Sequence, residues 1–204
     1  MNLEKLLLAE ANFLQQYPGG FDHPDMIAIG KKHRVDKMSE FASVALAKNQ
    51  FRDQGIVLDN LIKLVSRSSM VSMFEKPKFR DFVNALDLND RKALAGGFKR
   101  MLHGKQESGF NQVLDLLVDG RVARWSLITI CLVYFRPQTE VFVKPTTAKG
   151  IIRKLELQHL IYNPRPSWAF YEAFRDTINE MKTRVHPSLS PNNAAFTGFL
   201  MMSL

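Results

Sequence analysis

Positively charged and hydroxyl-bearing side chains cluster between Lys144 and Arg153. The first six residues of this stretch read KPTTAK, a pattern typical of a helix start, because Thr146 can cap a helix that runs from about Thr147 to Leu157. A helix N-terminus offers unpaired N–H groups and a partial positive charge, to which anions bind. The chemistry that this stretch favours is therefore phosphate binding.

Further cations are expected to extend this site. Lys149 and Arg153 are one helical turn apart, so they share a helix face and can follow a phosphate backbone together. We expect Arg136 and Arg165 to flank that face. An alternative is that Thr146 only caps the helix and that the lysines are solvated. The predicted phosphate- or nucleic-acid-binding residues are Lys144, Thr146, Thr147, Lys149, Arg153, Arg136 and Arg165.

The excess positive charge lies mainly in one part of the chain. The formal net charge is +8 at pH 7. Residues 1–120 contain 17 Lys or Arg and 15 Asp or Glu, whereas residues 121–186 contain 11 and 5. This basic C-terminal third creates a field that attracts phosphates, nucleic acid or another polyanion. A basic surface without any polyanion ligand is the alternative.

Signatures of catalysis and of metal binding are absent from the sequence. It contains no HExxH, GxSxG or GxGxxG motif and no paired-cysteine zinc spacing, so no catalytic residue, metal site or cofactor is predicted. Asp22, His23 and Asp25 are of metal-ligating types, but turn formation explains the aspartates. A hydrolase would need carboxylates that converge only in space. The nearest to clusters are Asp22, Asp25, Asp115 and Asp119.

Aromatic residues follow the basic stretch. Arg165, Trp168 and Tyr171 combine a cation with aromatic rings, as surfaces that stack nucleobases do. Tyr171, however, belongs to an apolar helical stripe with Phe174 and Ile178, and Trp168 lies one turn before it. We therefore interpret both rings as core residues.

The single cysteine and the lengths of the apolar runs bear on the compartment. Because Cys131 is the only cysteine, an internal disulfide is excluded, which fits a reducing compartment. We expect Cys131 to be an inert core thiol because it lies in an apolar helix pattern. No secretory signal is visible, and no apolar run approaches the roughly 20 residues of a membrane span. We predict a cytoplasmic protein without a membrane partner.

Helical periodicity runs through almost the whole chain. It predicts an all-α fold, a single globular domain over residues 1–204 with roughly nine helices around a buried central helix. That central helix is Val122 to Phe135, because it is apolar on nearly every side. Val141 to Val143 is the only strand-like run, so at most a minor β element is expected. The adjacent Gly96 and Gly97 suggest a close helix crossing.

Breakers and capping residues set the expected helix boundaries. Residues 21–30 read as turns, and the proline at position 77 reads as a break. The last helix lacks charge, so it packs into the body or against a second subunit, which makes a homo-oligomer through residues 191–204 possible. The expected caps are Asn2, Asp87, Ser108, Ser167 and Ser190, the last with Pro191 as the first helical residue.

Three functional hypotheses follow. The first is a non-catalytic protein that binds phosphate groups, such as those of nucleic acid, through the basic helix N-terminus. The second is a protein-interaction or homo-oligomeric scaffold that uses the uncharged final helix. The third is a hydrolase with dispersed carboxylates. A helix-turn-helix is not expected, because the gap between the helices at Val122 and Thr147 is far longer than the three or four residues of that motif.

Overall fold

Helices make up all of the regular secondary structure. The computed structural model describes residues 1–204 and contains eleven α-helices and three 3₁₀ helices, with no strand, so the predicted all-α class is confirmed. The 3₁₀ helices are Gly20–Asp22, Gln50–Arg52 and Pro187–Leu189. The α-helices are α1 Leu3–Gln16, α2 Pro24–His33, α3 Val35–Ala45, α4 Gln54–Arg67, α5 Glu75–Ala85, α6 Leu88–His103, α7 Gln106–Asp119, α8 Trp125–Phe135, α9 Pro145–Lys154, α10 Trp168–Lys182 and α11 Asn193–Ser203.

Helix α8 is the central helix of the fold. Every side chain from Trp125 to Tyr134 is buried, which follows from a sequence that is apolar on all sides of the helix. The helix begins at Trp125 rather than at Val122. All eleven helices contribute side chains to one continuous hydrophobic core. The predicted buried central helix is therefore confirmed.

Helices α6 and α7 cross closely, and glycines make the approach possible. A Cβ atom at Gly97 would lie 2.9 Å from Val113 Cγ2, and one at Gly109 would overlap the backbone of Met101. Gly96 has no close neighbour of this kind, since its nearest contact is 3.8 Å away. The predicted crossing is confirmed, with Gly97 rather than Gly96 at the contact.

Two segments predicted as turns or breaks are helical. Helix α2 covers residues 24–30 of the predicted turn segment 21–30 and continues beyond it. It begins there because the His23 side chain accepts a hydrogen bond from the Asp25 N–H at 3.2 Å and Pro24 takes the first helical position. A proline there lacks only an N–H that would be unpaired in any case. Pro77 lies in the first turn of α5 for the same reason and does not break the chain.

The caps predicted at Ser108 and Ser190 are wrong. Ser108 lies inside α7, which begins at Gln106. The last helix is capped by Asn192 rather than by Ser190, because the Asn192 side chain accepts a hydrogen bond from the Ala195 N–H at 2.8 Å. Asn2 and Asp87, in contrast, cap α1 and α6 as predicted. Ser167 occupies the position before α10 but makes no side-chain cap.

The segment Val141 to Val143 is buried but forms neither a strand nor a helix. Side chains, rather than a neighbouring strand, bind its backbone. The Val143 N–H donates to Thr129 Oγ1 at 3.1 Å, and the Val141 N–H donates to the Tyr171 hydroxyl at 3.4 Å. The β-like composition of this run therefore reflects its burial.

The uncharged helix α11 packs into the body of the protein. Phe196, Phe199 and Leu200 are fully buried, and the ring of Phe199 contacts that of Phe13 in α1 edge to face, with 5.2 Å between centroids. Met201, after them, is exposed. None of the helices has both the length and the apolar character to span a membrane.

Candidate anion-binding surface on helix α9

Helix α9 begins earlier than expected. Its first residue is Pro145, and the capping position belongs to Lys144, which makes no side-chain cap. Thr146 therefore lies in the first turn and is not the cap, a correction that follows from the preference of proline for the first helical position. The backbone N–H groups of Thr146 and Thr147 have no acceptor in the protein. They remain available to an anion.

The exposed face of α9 carries cations. Ala148 and Ile151 point into the core, so the opposite side of the helix presents Lys149 and Arg153, both exposed. Thr146 is also exposed on that side, whereas Thr147 is half-buried. A Cβ atom at Gly150, on this face, would meet nothing within 4 Å, so the face is open. We call Lys144, Thr146, Lys149, Gly150 and Arg153 the α9 face.

The cations of the α9 face have no acidic partner. No carboxylate lies within 4.0 Å of Lys144, Lys149 or Arg153. The acid that follows in the chain, Glu156, binds Lys5 Nζ at 2.7 Å and accepts from Asn2 Nδ2 at 3.0 Å. The hydrogen bond from Lys5 is the main cause of the lowered pKa of Glu156. The positive charge of the face is therefore directed at solvent.

A non-helical connector, residues 161–166, runs beside this face. The Lys149 ammonium lies 5.6 Å from the centre of the Tyr162 ring, and the Trp125 indole N–H donates to the carbonyl of Asn163 at 2.8 Å. Arg165 lies three residues beyond Tyr162, exposed and without an acidic partner. The connector thus brings an aromatic ring to the α9 face, and Arg165 follows on the same segment.

Arg136, which was predicted to flank the anion site, is paired within the protein. Its guanidinium donates to Glu140 Oε1 at 3.1 Å and to the carbonyl of Leu102. Unlike Lys149 and Arg153, it is therefore an ion-paired cation.

Glu140 is the centre of a buried polar network that sequence reasoning missed. Its side chain is 3% exposed. It accepts hydrogen bonds from Gln106 Nε2 at 2.8 Å and from the Tyr171 hydroxyl at 2.6 Å, and Arg175 Nη1 lies 4.0 Å away. Burial and the neighbouring carboxylate raise the pKa of Tyr171 well above its ordinary value. We call Gln106, Arg136, Glu140, Tyr171 and Arg175 the Glu140 network.

One feature of the sequence marks this network. Glu140 is the only acid between Asp119 and Glu156, and it directly precedes the apolar run at Val141. A lone carboxylate beside a buried run needs cationic or hydroxyl partners. Which residues supply them depends on how α7 and α10 pack, and this is not visible in local spacing.

The remaining candidates form no binding constellation. Trp168 and Tyr171 are buried, as the core interpretation predicted. Burial also raises the pKa of the Cys131 thiol to about 12, so the cysteine is protonated and inert. No three His, Cys, Asp or Glu side chains come together to hold a metal ion. The four aspartates considered for a hydrolase are all exposed, namely Asp22, Asp25, Asp115 and Asp119.

A polar surface cleft of ≈ 430 Å³ lies at the chain's amino end, beyond the α9 face. Two of the side chains that line it have partners within the protein: Glu156 binds Lys5, and His159 Nε2 lies 3.0 Å from Thr177 Oγ1.

Comparison of the chain with protein-family models, with curated proteins and with solved structures gives no match.

Proposed function

We propose that this protein binds nucleic acid or a related polyanion, without catalysis, through the α9 face and Arg165. The observation that carries the proposal is a combination on one helix. Lys144, Lys149 and Arg153 have no carboxylate within 4.0 Å, and the N–H groups of Thr146 and Thr147 at the N-terminus of the same helix have no acceptor. Arg165 also has no carboxylate within 4.0 Å. Cations that are neither buried nor paired attract phosphates over distances of about a Debye length.

The arrangement of the α9 face favours contacts with phosphate over readout of base sequence. Lys149 and Arg153 lie one helical turn apart, and the free N–H groups of Thr146 and Thr147 lie at the positive end of the same helix. Such contacts position a nucleic acid without reading its sequence. If Lys144, Lys149, Arg153 and Arg165 each contact one phosphate of a single strand, the logarithm of affinity should fall with the logarithm of salt concentration with a slope of about −3.

A charge-reversal experiment tests the proposal. The Lys149→Glu, Arg153→Glu double variant is expected to lose binding to a fluorescent oligonucleotide, measured by anisotropy at low salt. The matched control is Lys63→Glu with Arg67→Glu. These residues are also an exposed Lys and Arg one turn apart, but they lie in the second half of α4, away from its N-terminus.

The two double variants change the net charge equally, so only a local site distinguishes them. Retained binding in the control and lost binding in the α9 variant support the proposal. Unchanged binding in the α9 variant, or an equal loss in both, contradicts it.

A second candidate function is self-association. Apolar side chains remain exposed where α1 and α11 meet the solvent, with Leu8 62%, Met201 55% and Met202 42% exposed. Light scattering over a range of protein concentrations measures this directly. A mass that rises with concentration and returns to the monomer value in a Leu8→Lys, Met201→Lys variant supports it, and a monomer at every concentration contradicts it.

A further inference from the structure

The connector beside the α9 face exposes apolar and aromatic surface. Ile161 is 85% exposed, the largest exposed fraction among the large hydrophobic side chains. Tyr162, the next residue, is half-buried. Part of the apolar surface of both side chains therefore remains in water. A ligand with a flat, weakly polar surface can cover it.

The Tyr162 ring is held firmly from the core side. It forms a T-shaped pair with the Phe170 ring, at a centroid distance of 5.8 Å and an interplanar angle of 86°, and Phe170 in turn packs on Trp125 at 5.1 Å. Trp125 also holds the connector through its hydrogen bond to Asn163. A ring whose position is already fixed loses little conformational freedom when a ligand stacks on it.

A cation and this ring are adjacent. Lys149 Nζ lies over the Tyr162 ring, 5.6 Å from its centre, which puts a phosphate-binding group within one nucleotide's reach of the exposed Ile161 side chain and of the ring surface that the ammonium leaves uncovered. Arg165 adds a second cation, farther along the same connector. Cationic grooves interleaved with aromatic side chains bind single strands, because every base has a face that can stack.

We infer that the ligand of this surface is single-stranded nucleic acid, with phosphates on Lys149 and Arg153 and a base stacked on Ile161 and Tyr162. The inference rests on the proposed function and narrows it. A duplex keeps its base faces inside the stack, so it would contact only the cations and leave the connector surface uncovered.

Three probes of equal length separate these possibilities in the unmodified protein. They are a twelve-nucleotide oligothymidine, the same strand with abasic sugars throughout, and a twelve-base-pair duplex. We expect the oligothymidine to bind about tenfold more tightly than the abasic strand, which carries the same phosphates but no bases. We also expect it to bind more tightly than the duplex at the same salt concentration.

Variants of the connector then test whether it causes the difference in affinity between the oligothymidine and the abasic strand. Tyr162→Ala with Ile161→Ala is expected to reduce oligothymidine affinity about tenfold and to leave the abasic strand unchanged, whereas Tyr162→Phe keeps the ring and the affinity. Tyr17→Ala is the matched control, since Tyr17 is another half-buried tyrosine packed on a phenylalanine, Phe13, at 5.0 Å. Circular dichroism checks that each variant is folded.

The outcomes for the two proposals differ. Equal affinity for the oligothymidine and the abasic strand, or tighter binding of the duplex, overturns the single-strand inference but leaves polyanion binding in place, provided that the α9 double variant still abolishes it. If none of the three probes binds, both proposals are wrong.

Discussion

Two sets of cations in the same basic part of the chain have opposite environments. Arg136 pairs with the buried carboxylate of Glu140 at 3.1 Å, and Arg175 pairs with Asp176 at 2.9 Å and lies 4.0 Å from Glu140. Lys149 and Arg153, in contrast, face solvent without any acidic partner. Net charge alone does not distinguish the two sets. The difference shows that the cations of one basic segment divide into a paired set and an unpaired, solvent-facing set, according to which carboxylates lie beside them.

The segment that contains Arg136 and Glu140 positions the start of α9. The segment from Arg136 to Val143 leads directly into Lys144, and side chains of α10 and α11 bind its backbone. Lys182 Nζ donates to the Gln138 carbonyl at 2.8 Å, and Asn193 Nδ2 donates to the Glu140 carbonyl at 3.0 Å. The start of α9 is therefore held in place by the buried network before it.

Removing the central carboxylate is the strongest test of this comparison. Glu140→Ala is expected to lower the free energy of unfolding by about 3 kcal/mol, because it leaves the Arg136 guanidinium without its anion and the buried Tyr171 hydroxyl without its acceptor. Urea denaturation measures the change. Glu180→Ala is the control, since its partner Arg184 lies 3.7 Å away with both side chains more than half exposed, and it should cost at most about 0.5 kcal/mol. Equal losses in the two variants would mean that Glu140 has no special role.

Removing the hydroxyl of Tyr171 is expected to have the next largest effect. Tyr171→Phe deletes the donor at 2.6 Å from Glu140 Oε2 and should cost about 1–2 kcal/mol near neutral pH. The raised pKa also predicts a pH dependence. The tyrosine's contribution is complete below its unfolded pKa of about 10 and is lost as pH rises above that value, because the unfolded tyrosine ionises first. The stability advantage of the wild-type protein over the variant should therefore shrink above pH 10, and a constant difference would contradict this.

A substitution on the α9 face should instead stabilise the protein. Gly150→Ala is expected to raise the free energy of unfolding by about 0.5–1 kcal/mol, because alanine favours the helix and nothing lies within 4 Å of the new methyl group. The same change at Gly109 should destabilise, since its Cβ would overlap the backbone of Met101. Thermal unfolding measures whether each variant is more or less stable than the wild-type protein. Destabilisation by Gly150→Ala would show that the α9 face is packed against other residues.

Removing the free cations one at a time should have the smallest effect on folding. Lys149→Ala and Arg153→Ala are each expected to change the free energy of unfolding by less than about 0.5 kcal/mol, since neither residue forms an ion pair within the protein. Each should nevertheless reduce the magnitude of the salt slope of oligonucleotide binding by about 0.7. A large loss of stability in either variant would assign that residue to the paired set.

The fold was predictable where the residues of a single helix were enough to indicate its boundaries and its buried face. The burial of α8 and the caps at Asn2 and Asp87 follow from local pattern. The predicted helix boundaries were wrong at Pro24 and Pro77. Proline can either end a helix or occupy its first turn, and the local sequence did not distinguish these two roles. The candidate site was predictable in part, since helical spacing alone places Lys149 and Arg153 on one face.

The sequence by itself determined most of the helices, the buried central helix and the excess of positive charge, because periodicity, capping and composition act over a few residues. Only the tertiary structure decided that Glu140 binds Arg136 and that Tyr162 lies against Lys149. The partners of Glu140 on α7 and α10 lie more than 30 residues away along the chain. Contacts at such separations arise when whole helices pack, so the division between paired and free cations is a property of the packing.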